Sequence, residues 1–368
     1  MSLDQPLDLT TLTATEEARR QIAICNACRY CEGYCAVFPA MTRQKAFADG
    51  DITHLANLCH NCRGCYYACQ YTAPHEFALN LPAALAEVRV DSWERLIRPQ
   101  GLSRLFQSHG VAIAALAVVA LTGFFWALAA LKPPSGAGFY AYLAHDALVA
   151  IFVPAFVAPL AVIAVALRDY WREVGGAPVR LAHLVSALRD AARLKNLSGG
   201  QGQGCNFEQG DRYSNRRRVQ HHLMMYGFLL CFAATSSATV LHYGFGWQAP
   251  YPIWAPPKLL GIPGGVMMVV GGAGLAWLKT KADPTLGAAR VWGGEMAFIL
   301  LLVVVAATGL VLYAATGTAA VPALLALHLA SVMTLFLLMP FSKMVHGFFR
   351  FAALVAEAGK PAPQGGGA

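Results

Sequence analysis

The chain has 368 residues, of which 57% are hydrophobic and 13% charged, and its mean hydropathy is +0.46. This composition excludes an ordinary soluble domain, in which about a quarter of the residues are charged, and it predicts a membrane protein. The formal net charge is +8. The basic residues flank predicted membrane spans, so we attribute this charge to the membrane surface and expect no nucleic-acid partner.

Residues 1–24 form a polar lead. They contain no apolar core with a cleavage site, as a secretory signal would, so reduced cytoplasmic thiols are expected and disulfides are disfavoured. Residues 15–20 predict the capped start of a helix.

Residues 25–80 contain two cysteine runs with the same spacing, C-x2-C-x2-C-x3-C. The spacing is that of bacterial ferredoxins with two clusters, and it predicts two 4Fe-4S clusters in a small ferredoxin-like, α-helical domain with a short helical connector between the runs. Zinc and disulfides are the alternatives, but zinc sites usually place their second ligand pair a dozen or more residues away. The predicted metal ligands are Cys25, Cys28, Cys31, Cys35, Cys59, Cys62, Cys65 and Cys69.

In the ferredoxin arrangement, the fourth cysteine of each run binds the other cluster. Carried onto this chain, that arrangement gives a first set consisting of Cys25, Cys28, Cys31 and Cys69. The second set consists of Cys59, Cys62, Cys65 and Cys35. The chain departs from the ferredoxin pattern in one respect, because no proline directly follows either fourth cysteine.

Residues 81–108 have helical periodicity and predict an amphipathic connector that lays the cluster domain on the membrane. Residues 109–350 contain six apolar segments near the length of roughly 20 residues that a membrane helix needs. The predicted spans are 110–131, 142–167, 221–243, 259–278, 296–313 and 322–345. The fold class is therefore mainly α, with a six-helix transmembrane haem b bundle after the cluster domain. Residues 351–368 are predicted to be a flexible tail.

Lys and Arg predict the orientation, because cytoplasmic loops accumulate positive charge. The basic loop 168–220 and most other basic residues fall on one side of a six-span arrangement, whereas the opposite side carries little beyond Lys132 and Lys258. Both termini and the clusters are therefore predicted to be cytoplasmic, in a multi-pass protein of the inner (cytoplasmic) membrane. In the fourth span, close helix packing is predicted by Gly264, Gly265, Gly271, Gly272 and Gly274.

Histidines near the ends of the third and sixth predicted spans are candidate haem ligands, because ionisable residues at membrane depth are usually functional. His328 and His346 are five helical turns apart, about 27 Å on one face of an ideal helix. His221 and His242 are about 31 Å apart and lie within roughly 60° of one face, which His222 does not share.

Two such helices side by side predict two bis-histidine haem b groups. The inner haem would take His221 or His222 with His346, and the outer haem would take His242 with His328. A histidine that only sits in the membrane interface is the alternative at each position. Further candidates are His109 at the inner end and His145 at the outer end.

The final span, HLASVMTLFLLMPFSKMVHGF, resembles the last helix of the dihaem membrane subunit of respiratory nitrate reductase. With the cysteine runs and the segment RRRVQHHLMMYGFLLCFAATSSATVLHY, nearly the whole chain resembles the tricarballylate or citrate utilisation protein B family. The resemblance implies an electron-transfer protein that reoxidises a separate FAD-dependent dehydrogenase of the tricarballylate type and passes electrons to the quinone pool.

Three other functions are weighed against this one. A heterodisulfide-reductase-like oxidoreductase subunit would need further cysteine-rich sequence, which is absent. An electron donor to a cobalamin-pathway flavoprotein is a related arrangement, in which a flavin domain is fused to the chain, and this sequence lacks such a domain. A tricarboxylate transporter would need buried midplane charges, and no arginine lies at mid-span.

Overall fold

The computed structural model describes residues 11–131, 138–200 and 202–360. These residues form α-helices, short 3-10 turns and loops, with no β-strand among them beyond an isolated bridge between Cys205 and Ser214. The α-helices are α1 Ala14–Cys28, α2 Val37–Thr42, α3 Asp49–Leu58, α4 Gly64–Tyr67, α5 Leu81–Leu96, α6 Gln100–Ala130, α7 His145–Glu173, α8 Leu181–Ala192, α9 Arg216–Phe245, α10 Pro256–Lys281, α11 Trp292–Ala314, α12 Val321–Leu338 and α13 Val345–Ala358.

The first domain consists of α1 to α5. A capping box starts α1, in which the Thr13 hydroxyl accepts from the Glu16 N–H at 3.3 Å and the Glu16 carboxylate accepts from the Thr13 N–H at 2.8 Å. The cap therefore lies two residues before the predicted start. Between the two cysteine runs, α2 and α3 form the predicted helical connector.

The segment predicted to be an amphipathic connector on the membrane is instead part of the first domain. Leu85, Val88 and Trp93 of α5 are buried in one core with α1 and α3. The apolar stripe of α5 therefore faces protein. The chain then turns at residues 97–99 and enters α6, so residues 100–108 belong to the first long helix.

Six helices are long and apolar enough to cross a membrane, as predicted: α6, α7, α9, α10, α11 and α12 with its short 3-10 extension to Phe341. Large apolar side chains on their outer faces are exposed, including Val119, Trp126, Phe232 and Val270. Such faces are stable against lipid and unstable against water. The chain is therefore a multi-pass membrane protein.

Glycines bring α9 and α10 into backbone contact, as the sequence predicts. A Cβ added at Gly271 would lie 2.6 Å from the Met224 nitrogen, and one added at Gly264 would lie 2.9 Å from the Gly227 carbonyl oxygen. Only residues without side-chain bulk allow two helices to approach this closely.

The last predicted span is not one continuous helix. After α12 ends at Leu338, residues 339–341 form a 3-10 turn, Ser342 is extended, and α13 begins at Val345. Pro340 within this turn lacks the N–H that would continue the helix. His328 and His346 therefore lie on two different helices, and the expectation that they share one helical face is wrong.

Helix α13 belongs to the core of the first domain, which corrects the predicted flexible tail over residues 351–360. Phe349 and Ala353 are fully buried there, and Phe349 packs against Trp93 and Tyr170. The remainder of the predicted tail, residues 361–368, lies outside the described residues.

The first domain is fixed to one end of the helical bundle, which we call the domain end. Arg290, just before α11, contacts three carboxylates of α5, with distances of 2.5 to 3.0 Å to Glu87, Asp91 and Glu94. Arg95 makes a bidentate pair with Glu173 at the end of α7, at 2.6 and 2.8 Å. The two parts therefore form one connected structure.

Candidate functional site

The first cysteine set lies around a cavity that opens to solvent. Cys25 and Cys28 are in the last turn of α1, where Arg29 adopts a left-handed conformation that turns the chain toward Cys31. The cavity has a volume of about 490 Å³, including the part open to solvent, and its lining includes all four members of the set: Cys25, Cys28, Cys31 and Cys69.

The second set lies deeper in the protein. Cys59 follows α3 directly, Cys62 lies in the next turn and Cys65 is in α4. The fourth member, Cys35, comes from the other run, and the thiols of Cys62 and Cys59 lie close enough to raise its pKa, in addition to the larger effect of burial. The structure thus brings each fourth cysteine to the opposite run, as the ferredoxin arrangement requires.

Five of the eight thiols, from both sets, have raised pKa values: Cys25, Cys31, Cys35, Cys62 and Cys65. Burial, with the neighbouring thiols of Cys69, Cys31 and Cys28, raises the pKa of Cys25 to about 12, and burial raises that of Cys62 to about 12. Such thiols become thiolates only when a cation compensates their charge, so this donor set fits an iron-sulfur cluster.

Among the described residues, no three His, Cys, Asp or Glu side chains are close enough together to bind one metal ion. A 4Fe-4S cluster does not need three ligands around one ion, because each of its four irons binds a separate thiolate.

His221 and His346 form what we call the inner histidine pair. Their ring centres are 6.0 Å apart and the rings are nearly perpendicular, at 82°. Metal–imidazole bonds are about 2 Å long, and each nitrogen lies roughly 1 Å from its ring centre, so an iron between two imidazoles needs ring centres about 6 Å apart. The pair therefore fits the two axial ligands of a haem iron.

The surroundings of the inner histidine pair also suit iron binding. The His346 Nδ1–H donates to the Lys343 carbonyl, which leaves the Nε2 nitrogen free for a metal. Burial, with the nearby charges of Arg350 and Lys343, lowers the pKa of His346 well below its usual value and keeps the ring neutral, as a ligand must be. The buried Nδ1 atom of His221 has no hydrogen-bond partner. His222 instead stacks on Tyr226, with ring centres 5.8 Å apart.

The two outer histidines, His242 and His328, have different neighbours. His242 stacks on His145, with ring centres 4.2 Å apart and an angle of 12°. This separation is too short for an iron between the rings. His328 lies against α11, where its Nδ1 atom is 3.1 Å from the Thr308 hydroxyl. No ring contact joins His242 and His328 in the part of the chain that the structure describes.

Comparisons with known proteins agree with this architecture. The model of the citrate utilization protein B family matches residues 97–367, and that of the citrate utilization protein B Fer4-like domain matches residues 18–94. Citrate utilization protein B of Escherichia coli is 43% identical over 358 residues, which cover 96% of this chain and 94% of the relative. The chain belongs to the citrate utilization protein B family. No solved structure matches it.

Three arginines, none predicted as a site residue, donate to backbone carbonyls in the loop of the second cysteine set, and one of them, Arg217, comes from the bundle helix α9. The Cys59 carbonyl accepts from Arg89 at 2.9 Å and from Arg350 at 3.0 Å. The Asn61 carbonyl accepts from Arg217 at 2.8 Å. The run of arginines at 216–218 is visible in the sequence, but nothing in it distinguishes Arg217 from its two neighbours.

His60, between Cys59 and Asn61, is also part of this region. Its Nδ1–H donates to the Leu58 carbonyl at 2.7 Å, and burial lowers its pKa well below the usual value.

A half-buried ion cluster is connected to the inner histidine pair through Lys343, whose carbonyl accepts from His346. The Glu295 carboxylate at the start of α11 accepts from Lys343 at 2.5 Å and from Lys279. Burial lowers the pKa of Lys343 to about 7, against the opposing effect of Glu295. The acid could have been suspected from the sequence, because Glu295 directly precedes a long apolar segment.

Proposed function

We propose that the protein is the membrane-bound electron-transfer partner of a soluble FAD-dependent dehydrogenase, which it reoxidises by reducing quinone. Its cysteine sets would hold two 4Fe-4S clusters, and the inner histidine pair would hold haem b. When bound, these groups would carry single electrons, so two passes would oxidise one reduced flavin, which releases two protons to the medium, and reduce one quinone, which takes up two protons from the medium.

The observation that carries this proposal is the position of the inner histidine pair. Two imidazoles from α9 and α13 are spaced as iron requires, at the end of the bundle to which the cysteine domain is fixed. The chain thereby places thiolate donors and imidazole donors next to each other at one membrane surface. This arrangement suits a relay from a soluble donor to a membrane-soluble acceptor.

The residues of the chain hold and position the electron carriers. Each cysteine run supplies three thiolates to one cluster and its fourth to the other, which ties the two halves of the domain together. His346 is oriented by its bond to the Lys343 carbonyl, so its Nε2 atom points away from its own helix turn. An outer haem held by His242 and His328 stays a prediction from the sequence.

We place the domain end on the cytoplasmic side of the inner membrane, because the basic residues of the bundle collect there, including Lys279, Arg290 and Lys343. The dehydrogenase would then be a cytoplasmic flavoprotein. The family name points to citrate or a related tricarboxylate such as tricarballylate as the substrate of the pathway.

The test uses membranes that contain the full-length chain. Under anaerobic conditions, tricarballylate dehydrogenase reduced by its substrate is added, and haem reduction is followed by visible absorbance before a soluble quinone analogue is supplied. We expect haem reduction, then its reversal by quinone. His221→Ala should abolish the signal of the haem at the inner histidine pair, whereas the neighbouring His222→Ala should retain it.

Two outcomes contradict different parts of the proposal. If the reduced dehydrogenase leaves the haem oxidised while dithionite reduces it, the partner is wrong although the cofactors stand. If the purified protein contains zinc and neither acid-labile sulfide nor haem, the electron-transfer function itself is wrong.

A further inference from the structure

We infer that the two cysteine sets have different positions in the electron path. The first set forms the electron-input face, and the second set delivers electrons to the inner histidine pair, to which Arg217 and Arg350 connect it. The inference deepens the proposed function and rests on it for the bound clusters and haem.

The first set is the one that a soluble donor can approach. Cys28 is exposed, and Tyr30 beside it retains 70% of its accessible surface. Both residues line the cavity that opens to solvent. Electron transfer requires close approach of donor and acceptor, so a flavoprotein docked on the first domain meets this set first.

The second set lies behind the first: only its Cys65 also lines the cavity, and the loop that carries Cys59 and Cys62 is covered by other parts of the chain. The Cys62 carbonyl accepts from the Asn206 N–H at 2.9 Å, and the Arg63 guanidinium donates to the Phe207 carbonyl at 3.1 Å. The loop between α8 and α9 therefore lies over this set. Asn61 is buried as well and donates to the Leu286 carbonyl, between α10 and α11, at 2.8 Å.

Two arginines connect the second set directly to the helices of the inner histidine pair. Arg350 lies one helical turn after His346 in α13 and binds the Cys59 carbonyl. Arg217 lies one turn before His221 in α9 and binds the Asn61 carbonyl. Each route from the cysteine loop to an imidazole thus crosses one hydrogen bond and one turn of helix. Nothing comparable joins the first set to the bundle among the described residues.

The same arginines give the path a direction. Arg89, Arg217 and Arg350 place three positive charges around the loop of the second set, and in this inference their effect outweighs the burial of the set, which by itself disfavours the more negative reduced cluster. A cluster bound by four thiolates is anionic, and nearby cations favour its reduced form. The second set therefore holds the cluster with the higher reduction potential, and electrons move downhill from the solvent side toward the bundle.

The experiment uses the purified full-length protein in detergent, with photoreduced flavin mononucleotide as a soluble donor and haem reduction followed by stopped-flow absorbance. Cys28→Ser should slow haem reduction at least tenfold while the second cluster keeps its EPR signal. Cys62→Ser should slow it at least tenfold although the first cluster still becomes reduced. An unchanged rate in either variant overturns the order.

A double variant, in which Arg217 and Arg350 are both replaced by Gln, tests the connection without removing a cysteine. It should lower the midpoint potential of the second cluster alone and slow haem reduction at least tenfold, while the first cluster is reduced at the wild-type rate. Arg216→Gln is the matched control, because Arg216 is exposed and pairs with Glu208 at 3.6 Å. Equal behaviour of the double variant and this control overturns the inference.

The donor in this experiment is free flavin mononucleotide, so a wrong dehydrogenase does not affect its result. Wild-type protein that lacks clusters or haem contradicts the proposed function. Wild-type protein whose haem is reduced, with unchanged rates in the variants, contradicts the inference alone.

Discussion

Replacing Gly271 by Ala tests the contact that holds α9, the helix of His221, in place. The new Cβ would lie 2.6 Å from the backbone nitrogen of Met224 and 2.8 Å from the backbone oxygen of Gln220. Ordinary contacts begin at 3.4 Å, so α9 and α10 must separate locally by 3.4 − 2.6, or 0.8 Å. Neither contact atom is part of a flexible side chain that could turn away. Overpacking of this kind costs about 1–3 kcal/mol.

Gly123→Ala in α6 is the control, because a Cβ at this position has nothing within 4 Å. Both substitutions replace a glycine by alanine inside a helix, and the gain in helix propensity, up to about 1 kcal/mol, is the same for both. The difference between their unfolding free energies therefore measures the cost of the steric clash alone. We expect Gly271→Ala to be about 1–3 kcal/mol less stable than Gly123→Ala, measured by denaturant unfolding in detergent with circular dichroism. Equal stability of the two variants would show that the helices are not held at this contact.

Three further predictions concern the cofactors. Cys62→Ser should remove the EPR signal of one cluster, whereas Cys231→Ser, a cysteine of α9 outside both sets, should leave both signals; loss in both variants would contradict the ligand sets. His221→Ala should lose the haem of the inner histidine pair and His222→Ala should keep it, and haem content per protein decides between the two. The sequence predicts a second haem that His328→Ala removes, so a single haem in the wild type, unchanged in this variant, refutes that prediction.

The features that depend on local signals could be predicted from the sequence. The length of the apolar segments needs no knowledge of distant contacts, and the structure has six helices that could cross a membrane where these segments lie. The crossed ligand sets stay a prediction, which the position of each fourth cysteine near the opposite run supports. The helical-wheel geometry favours His221 over His222, and the structure places His221 beside His346.

The features that depend on which surface covers an element could not be predicted. The apolar stripe of α5 fits a lipid surface as well as a protein core, and only the packed structure shows Leu85 and Trp93 buried against protein. Hydropathy stays high across residues 338–345, so it hides the end of α12 at Leu338. The sequence prediction assumes that His328 and His346 share one continuous helix. It therefore assigns the membrane depth and the facing side of His328 from a helix that in fact ends before His346.

The packing of α13 in the core of the first domain has a consequence for how the protein is made. Arg43 pairs with Glu357, 314 positions later, and Phe349 is buried in the same core as Ile22. Helices α1 to α5 leave the ribosome early in translation. Their core lacks α13 until all six spans and α13 itself have been translated. Chains that stop before α13 would expose this apolar surface to proteases, so cells should remove unfinished copies.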